Sequence, residues 1–248
     1  MNDMEILNGK TIVAPRQAII MAAGLGTRLR PLTDTDPKPM IPVGGRPILE
    51  WSLEALPVAV EEVILVVNYL QDRIRAHFGE EWGGRRIRYV LQSELKGTGH
   101  SVHIAEPFLD DRFIVVNGDD LYLPADLERL ATNSLAILGK RVTDKGRFGF
   151  MTVDDTGFLT GITEDGKGAG DIINIGAYVL DRDFFRYELV PIKNGKEFGL
   201  PQTVAVMAKD RKVAVTVAEH WMPIGFPEDV AAADGWLAAH RQPACSIA

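Results

Sequence analysis

The sequence contains little of what defines several common classes of protein. Its 248 residues include one cysteine, Cys245, which excludes an internal disulfide and a cysteine cluster for a metal. Acidic residues outnumber basic ones by 34 to 27, so no surplus of positive charge is available to neutralise a nucleic-acid backbone. No apolar run approaches the roughly 20 residues of a membrane-spanning helix. The composition indicates a globular protein with neither nucleic acid nor membrane as its partner.

The N-terminus is acidic and polar, whereas a signal peptide is basic and then apolar, so we expect a cytoplasmic location. A chain of this length, with 46% apolar and 25% charged residues, can form one large α/β domain or two small ones. Residues 1–16 precede the first apolar run and are interpreted as an N-terminal extension. Residues 17–248 show no linker or repeat and are interpreted as a single domain.

The most informative segment is A-A-G-L-G-T-R at 22–28, directly after the apolar run at 18–21. A short buried strand that opens into such a loop presents backbone N–H groups to a ligand. Gly24 and Gly26 remove the side chains that would keep a polyphosphate away from those groups. The segment therefore predicts a phosphate-binding loop.

Two cations follow in the same segment. Arg28 supplies a forked guanidinium, and Lys38, held between two prolines, supplies a point charge. No Gly-Lys-Ser/Thr follows the glycines, so the loop is not a P-loop. It is not a dinucleotide fingerprint either, because Arg28 and Pro31 stand where the third glycine and the helix would be.

Apolar runs alternate with helical patterns in the first half of the chain. The predicted strands are 18–21, 63–67, 87–91 and 113–116, and the predicted helices are 48–56, 70–78 and 98–105. This alternation favours a parallel sheet covered on both faces, with ligands at the C-terminal ends of its strands. Later, Asp/Gly turns separate predicted strands at 135–138, 148–153, 158–162 and 172–180. A helix, a strand and a helix are predicted at 200–208, 213–217 and 227–239.

Together with P-L-T at 31–33 and P-K-P at 37–39, the loop resembles the G-x-G-T-R-x-x-P-L-T…P-K-P signature of the sugar-1-phosphate nucleotidylyltransferases. The resemblance extends from about 17 to 239. It implies a Rossmann-like, mixed and mostly parallel sheet flanked by helices, with a small antiparallel sugar-binding lobe. It also implies a catalytic domain over 17–248 that transfers a nucleotidyl group from an NTP to a sugar-1-phosphate with Mg²⁺ as cofactor; a homo-oligomer is compatible with it.

The resemblance also implies residue roles. Arg28 would hold the β- and γ-phosphates, Lys38 would steady the α-phosphate and the sugar phosphate, and Asp119 would bind the Mg²⁺. The implied nucleotide-binding residues are Ala22, Ala23, Gly24, Gly26, Thr27, Arg28, Gln92, Gly97, Thr98 and Asp119. From its position alone, Asp119 could equally be a turn residue that caps a helix starting near Pro124.

One position departs from the family pattern. The family brings a second acidic or amide metal ligand in W-x-D-(I/V)-G, but this chain has W-M-P-I-G, which places Pro223 at the ligand position. A proline side chain cannot bind a metal. The residues left open as replacements are Asp120, Asp171, Glu219 and His220.

The segment Q-S-E-L-K-G-T-G-H at 92–100 resembles, at identical spacing, a segment of the N-acetylglucosamine-1-phosphate uridylyltransferases. The amide of Gln92 offers a donor and an acceptor, so it can pair with the edge of uracil or thymine. This favours UTP or dTTP. In a purely structural interpretation, which is compatible with the first, Gln92 is a polar residue at a strand end and Gly97 and Thr98 form a helix N-cap.

By the same resemblance, Gly149, Glu164 and Asn174 would bind the sugar. Many relatives have a lysine after the glutamate, where this chain has Asp165. Two alternatives stay open: a guanylyl- or cytidylyltransferase for another phosphate substrate, and a catalytically silent regulatory relative that binds a sugar nucleotide, which Pro223 and Asp165 would favour. No hexapeptide repeats occur, so we expect no acetyltransferase half.

Overall fold

The computed structural model describes residues 4–7, 10–143, 149–163 and 170–240. The strands are β1 (Met4–Leu7), β2 (Lys10–Val13), β3 (Gln17–Met21), β4 (Pro42–Val43), β5 (Arg46–Pro47), β6 (Glu62–Val67), β7 (Glu81–Trp82), β8 (Arg85–Leu91), β9 (Arg112–Asn117), β10 (Asp120–Tyr122), β11 (Ala136–Arg141), β12 (Phe150–Val153), β13 (Leu159–Thr163), β14 (Ile172–Asp181), β15 (Val190–Ile192), β16 (Glu197–Gly199), β17 (Ala214–Val217) and β18 (Trp221–Pro223). The α-helices are α1 (Ile48–Ala55), α2 (Gln71–Phe78), α3 (Gly97–Ala105), α4 (Pro124–Ala131), α5 (Leu200–Met207) and α6 (Pro227–His240).

A ten-stranded sheet organises the fold, with the main order β13-β12-β14-β9-β3-β6-β8-β7. Its central strands β9, β3, β6 and β8 are parallel. β14 joins them antiparallel to β9, and on its other edge it pairs with β11, which pairs in turn with β17. Among the described residues, five short 3₁₀-helices lie outside the sheet, at Thr27–Leu29, Leu32–Asp34, Lys38–Met40, Glu106–Phe108 and Arg182–Arg186.

The central strands β3, β6 and β9 are apolar along most of their length because both of their faces are covered. In β3, Ala18 and Ile20 pack into a core with α1, α2 and α4, whereas Ile19 packs into a second core with α3 and α5. All three are fully buried. A strand between two cores has no solvent face, so the alternation of polar and apolar residues is absent from its sequence.

The predicted fold class is confirmed: the sheet is mixed, parallel at its centre and flanked by helices. The predicted antiparallel part exists and continues the same sheet through the β14–β9 pairing. Helix α4 begins at Pro124, where the turn interpretation of Asp119 places the start of a helix, whereas the β10–β18 pair was not predicted. The predicted extension includes the antiparallel pair β1–β2, and its boundary at residue 16 stays a prediction. No helix among the described residues is long and apolar enough to cross a membrane.

Candidate active site

The parallel strands β3 and β9 bring two functional loops together. Met21 pairs with Asn117 at the C-terminal ends of these strands, so the glycine loop and Asp119 emerge at the same edge of the sheet. Two adjoining cavities open there. The glycine-loop cavity, about 580 Å³, is lined by residues that include Gly24, Gly26, Gln92, Gly97 and Thr98. The β18 cavity, about 480 Å³, is lined by residues that include Asp120, Asn174, Trp221, Pro223 and Phe226.

The two cavities share the charged residues Arg28, Lys38 and Asp119. The Lys38 Nζ lies 2.5 Å from the Asp119 Oδ2. Lys38 is buried, whereas about a third of the Asp119 side chain is exposed. The exposed guanidinium of Arg28 lies 5.2 Å from the centre of the Phe226 ring. The structure thus brings together the three residues that the sequence predicts as catalytic, at the junction of the cavities.

The two glycines of the loop serve different purposes. Gly26 has φ +62°, and a Cβ there would lie 2.8 Å from a Thr33 methyl and 2.9 Å from the Lys38 Cβ. The Thr33 hydroxyl also donates to the Gly26 carbonyl at 2.8 Å. A Cβ on Gly24 would meet no atom within 4 Å. Gly26 is therefore required for the loop to fold against Lys38, and Gly24 leaves open space for a ligand.

Asp120 is buried directly beside Asp119. Burial and, second, the charge of Asp119 together raise the pKa of Asp120 to about 7, against the lowering effects of Lys38 and of hydrogen bonds from Asn117 and Trp221. The Asn117 Nδ2 donates to the Asp120 Oδ2 at 3.2 Å. Asp120 therefore loses its proton less readily than an exposed aspartate, because a second negative charge in this buried place is unfavourable.

This pKa predicts that stability falls with pH. Between the ordinary pKa of 3.8 and about 7, folded Asp120 holds a proton that the unfolded chain has lost. Rising pH then favours unfolding, with at most about 1.4 kcal/mol per pH unit from this one group. We expect Asp120→Asn to match the wild type at about pH 3, below both pKa values, and to be the more stable protein at about pH 8. Urea unfolding in EDTA measures the free energy of unfolding of both proteins at each pH. If this free energy changed with pH equally in the two proteins, the prediction would be contradicted.

On the glycine-loop side, the amide of Gln92 is engaged within the protein. Its Nε2 donates to the Gly97 carbonyl at 3.1 Å, and its Oε1 accepts from the Ser101 hydroxyl at 2.8 Å. The same Nε2 lies 3.1 Å from the His100 Nδ1. Gln92 is buried and lines the cavity. Gln92 therefore holds the start of α3 in place through these hydrogen bonds, a role that does not depend on binding a nucleotide base.

The β15–β16 hairpin was not predicted, and it closes over the start of α3. Gly97 has φ +87°, and a Cβ there would lie 2.5 Å from the Phe198 carbonyl oxygen. The Phe198 N–H donates to the Lys96 carbonyl at 2.7 Å, and the Leu200 N–H donates to the Thr98 hydroxyl at 3.1 Å. The turn sequence K-N-G at 193–195 was the available signal, because Asn-Gly is typical of hairpins.

The predicted sugar-binding residues are placed differently from one another. Asn174 lines the β18 cavity, where its Nδ2 donates to the Tyr178 hydroxyl at 2.8 Å and its Oδ1 accepts from the Gly176 N–H at 3.0 Å. Gly149 contacts Asn174 through its carbonyl, which accepts the Asn174 N–H at 2.8 Å. Glu164 lies outside the described residues, so its predicted role stays a prediction.

Of the four replacements left open for the ligand at Pro223, Asp120 alone lines one of the two adjoining cavities. Asp171 forms an ion pair with an arginine and lines a separate cavity of about 540 Å³. Glu219 is exposed and pairs with another arginine at 3.1 Å. The ring of His220 packs against a second histidine ring at 4.1 Å. The position of these three argues against a role in this cleft.

Comparison with known proteins identifies the family. The profile described as nucleotidyl transferase matches residues 17–238, nearly the whole chain. The chain belongs to this family. It is 33% identical over 223 residues to the bifunctional protein GlmU of Methanocaldococcus jannaschii, covering 89% of this chain and 54% of that protein. This chain therefore spans about half the length of that relative.

Two further comparisons support the same family. The D-glycero-α-D-manno-heptose 1-phosphate guanylyltransferase of Campylobacter jejuni is 32% identical over 216 residues, covering 86% of this chain and 96% of that protein. A crystal structure of UDP-glucose pyrophosphorylase complexed with UDP-glucose superposes with a TM-score of 0.79 at 21% identity, covering 92% of this chain and 100% of the other. That likeness shows the fold: the nucleotidyl transferase fold is present over most of the chain.

Proposed function

We propose that this nucleotidyl transferase transfers a nucleotidyl group from an NTP, with UTP or dTTP favoured, to a hexose- or N-acetylhexosamine-1-phosphate. The observation that carries the proposal is the Lys38–Asp119 pair at the junction of two cavities, one of which is opened by the glycine loop. A reaction between two phosphate-bearing substrates needs such a junction, because both have to approach one phosphorus atom.

In the proposed reaction, a phosphate oxygen of the sugar-1-phosphate attacks the α-phosphorus of the NTP. A new P–O bond forms while the bond from the α-phosphorus to the bridging oxygen breaks, and pyrophosphate leaves with that electron pair. Little covalent help is required, and catalysis depends on in-line positioning and charge neutralisation. Arg28 would hold the β- and γ-phosphates, and Lys38 would steady the α-phosphate and the attacking phosphate.

The residues of this cleft fit Mg²⁺. Asp119 presents a partly exposed carboxylate to both cavities, and carboxylate oxygens are ligands that this hard cation prefers. No group of three or more His, Cys, Asp or Glu that could hold a metal occurs in the part of the chain that the structure describes. Mg²⁺ typically takes one or two carboxylates and completes its shell with substrate phosphates and water. When bound, it would neutralise phosphate charge during the transfer.

The direct test is magnesium-dependent release of pyrophosphate. We would measure it with UTP, dTTP, GTP, CTP and ATP against a panel of sugar-1-phosphates. Rapid release with UTP or dTTP is the expected result and would identify the sugar. Release with GTP or CTP would support the reaction but overturn the preference for UTP or dTTP. GTP is a specific alternative, because one relative is named a heptose 1-phosphate guanylyltransferase. Nucleotide binding without release would instead favour a silent regulatory relative.

The base preference has its own prediction. We expect Gln92→Glu to shift the ratio of kcat/KM values from UTP towards GTP by about tenfold, since a carboxylate accepts two N–H donors of guanine but offers none to uracil. The variant keeps an acceptor for the Ser101 hydroxyl and loses the donor to the Gly97 carbonyl.

Gln71→Glu on α2, outside both cavities, is the matched control and should leave the ratio unchanged. A ratio in Gln92→Glu equal to that of the wild type would mean that Gln92 serves only to fix the start of α3.

A further inference from the structure

The short β10–β18 pair places Asp120 directly opposite Pro223. Residues opposite each other in an antiparallel pair lie about 4.5–5.5 Å apart at their Cα atoms, and their side chains share one face. Both residues line the β18 cavity, together with Asp119. A side chain at 120 therefore reaches the same space as a side chain at 223, where the resembled family carries a metal ligand and this chain carries a proline.

The surroundings of Asp120 supply hydrogen bonds but no cation. The carboxylate accepts from the Asn117 amide, and the Tyr122 hydroxyl lies at 3.5 Å, the limit of a hydrogen bond. Asp120 is 7% exposed, and among the described residues no basic group lies within 4.0 Å of it, because Lys38 pairs with Asp119. A buried carboxylate without a positive partner is unfavourable. Lys38 acts on the Asp120 carboxylate only from beyond that distance, so this place lacks a cation in direct contact.

We propose that Asp120 acts beside Asp119 as the second protein ligand for Mg²⁺, in place of the side chain that is absent at Pro223. The second ligand is then contributed by β10, at the residue opposite the family's position on β18. This assignment rests on the proposed function for its purpose, although metal binding can be measured independently of turnover. It also explains why Pro223 is compatible with an intact Arg28, Lys38 and Asp119.

The test measures Mn²⁺ as a paramagnetic substitute for Mg²⁺, by the loss of its free EPR signal, with and without UTP. Asp120→Ala, which removes every side-chain oxygen at this position, should weaken Mn²⁺ binding at least about tenfold. Adding Pro223→Asp to that variant should restore most of the affinity, because it returns a carboxylate to the opposite residue of the pair. Asp210→Asn, at an exposed aspartate outside both cavities, is the control and should bind like the wild type.

Two results would overturn the assignment. The first is wild-type Mn²⁺ affinity in Asp120→Ala. The second is weakened binding that Pro223→Asp does not restore, since a merely structural role of Asp120 would not be rescued from the opposite strand. Unfolding in EDTA checks that each variant is folded. Pyrophosphate release by the wild type is measured in parallel. If the wild type releases pyrophosphate and the variant at residue 120 binds Mn²⁺ unchanged, only this assignment fails. If Pro223→Asp restores Mn²⁺ binding but the wild type releases no pyrophosphate, only the proposed function fails.

Discussion

Asp119→Asn is expected to lower the rate of pyrophosphate release about a thousandfold, because the cleft loses the carboxylate that is proposed to hold Mg²⁺ where charge develops. Stability should fall by less than the roughly 3–5 kcal/mol expected when one partner of a buried ion pair is removed, since two effects oppose each other. The variant removes the partner of Lys38, and it also removes the charge that acts against ionisation of Asp120. Steady-state turnover and urea unfolding measure the two quantities separately.

The matched control for this prediction is Asp210→Asn, which removes an exposed carboxylate outside both cavities and should keep full activity. A rate in Asp119→Asn within tenfold of the wild type would contradict the role proposed for Asp119. In that case the aspartate would be a structural partner of Lys38, as the turn interpretation of the sequence allows.

The second large effect is expected for Gly97→Ala. The new Cβ would lie 2.5 Å from the Phe198 carbonyl oxygen and 2.9 Å from the Phe198 nitrogen, both of them backbone atoms. The φ of +87° adds strain in any residue but glycine. We expect a loss of about 2–4 kcal/mol of unfolding free energy. The KM for the NTP should also rise, because the β15–β16 hairpin has to move off the start of α3.

Gly157→Ala separates the two causes. Gly157 has the same φ of +87°, but a Cβ there would meet no atom within 4 Å. The Gly157→Ala variant should lose only the free energy of unfolding due to backbone strain, about 1–2 kcal/mol, and its KM for the NTP should be unchanged. Equal destabilisation of the two variants, with equal KM values, would show that the contact between Phe198 and Gly97 does not matter for the nucleotide side of the cleft.

Long or doubly covered elements were predictable from the sequence, and short ones were not. The strand at 18–21 was found because burial on both faces leaves an unbroken apolar run. β10 and β18 have three residues each, too few for any periodicity, and they depend on one another for hydrogen bonds.

By itself, the sequence determined the family, the central strands and the phosphate loop, because these depend on neighbouring residues: glycines at fixed spacing, prolines around Lys38, and apolar runs. Tertiary structure alone decided which distant groups meet. It pairs Lys38 with Asp119 across 81 residues and sets Asp120 opposite Pro223. Strand register and loop closure fix such contacts, and no local pattern encodes them.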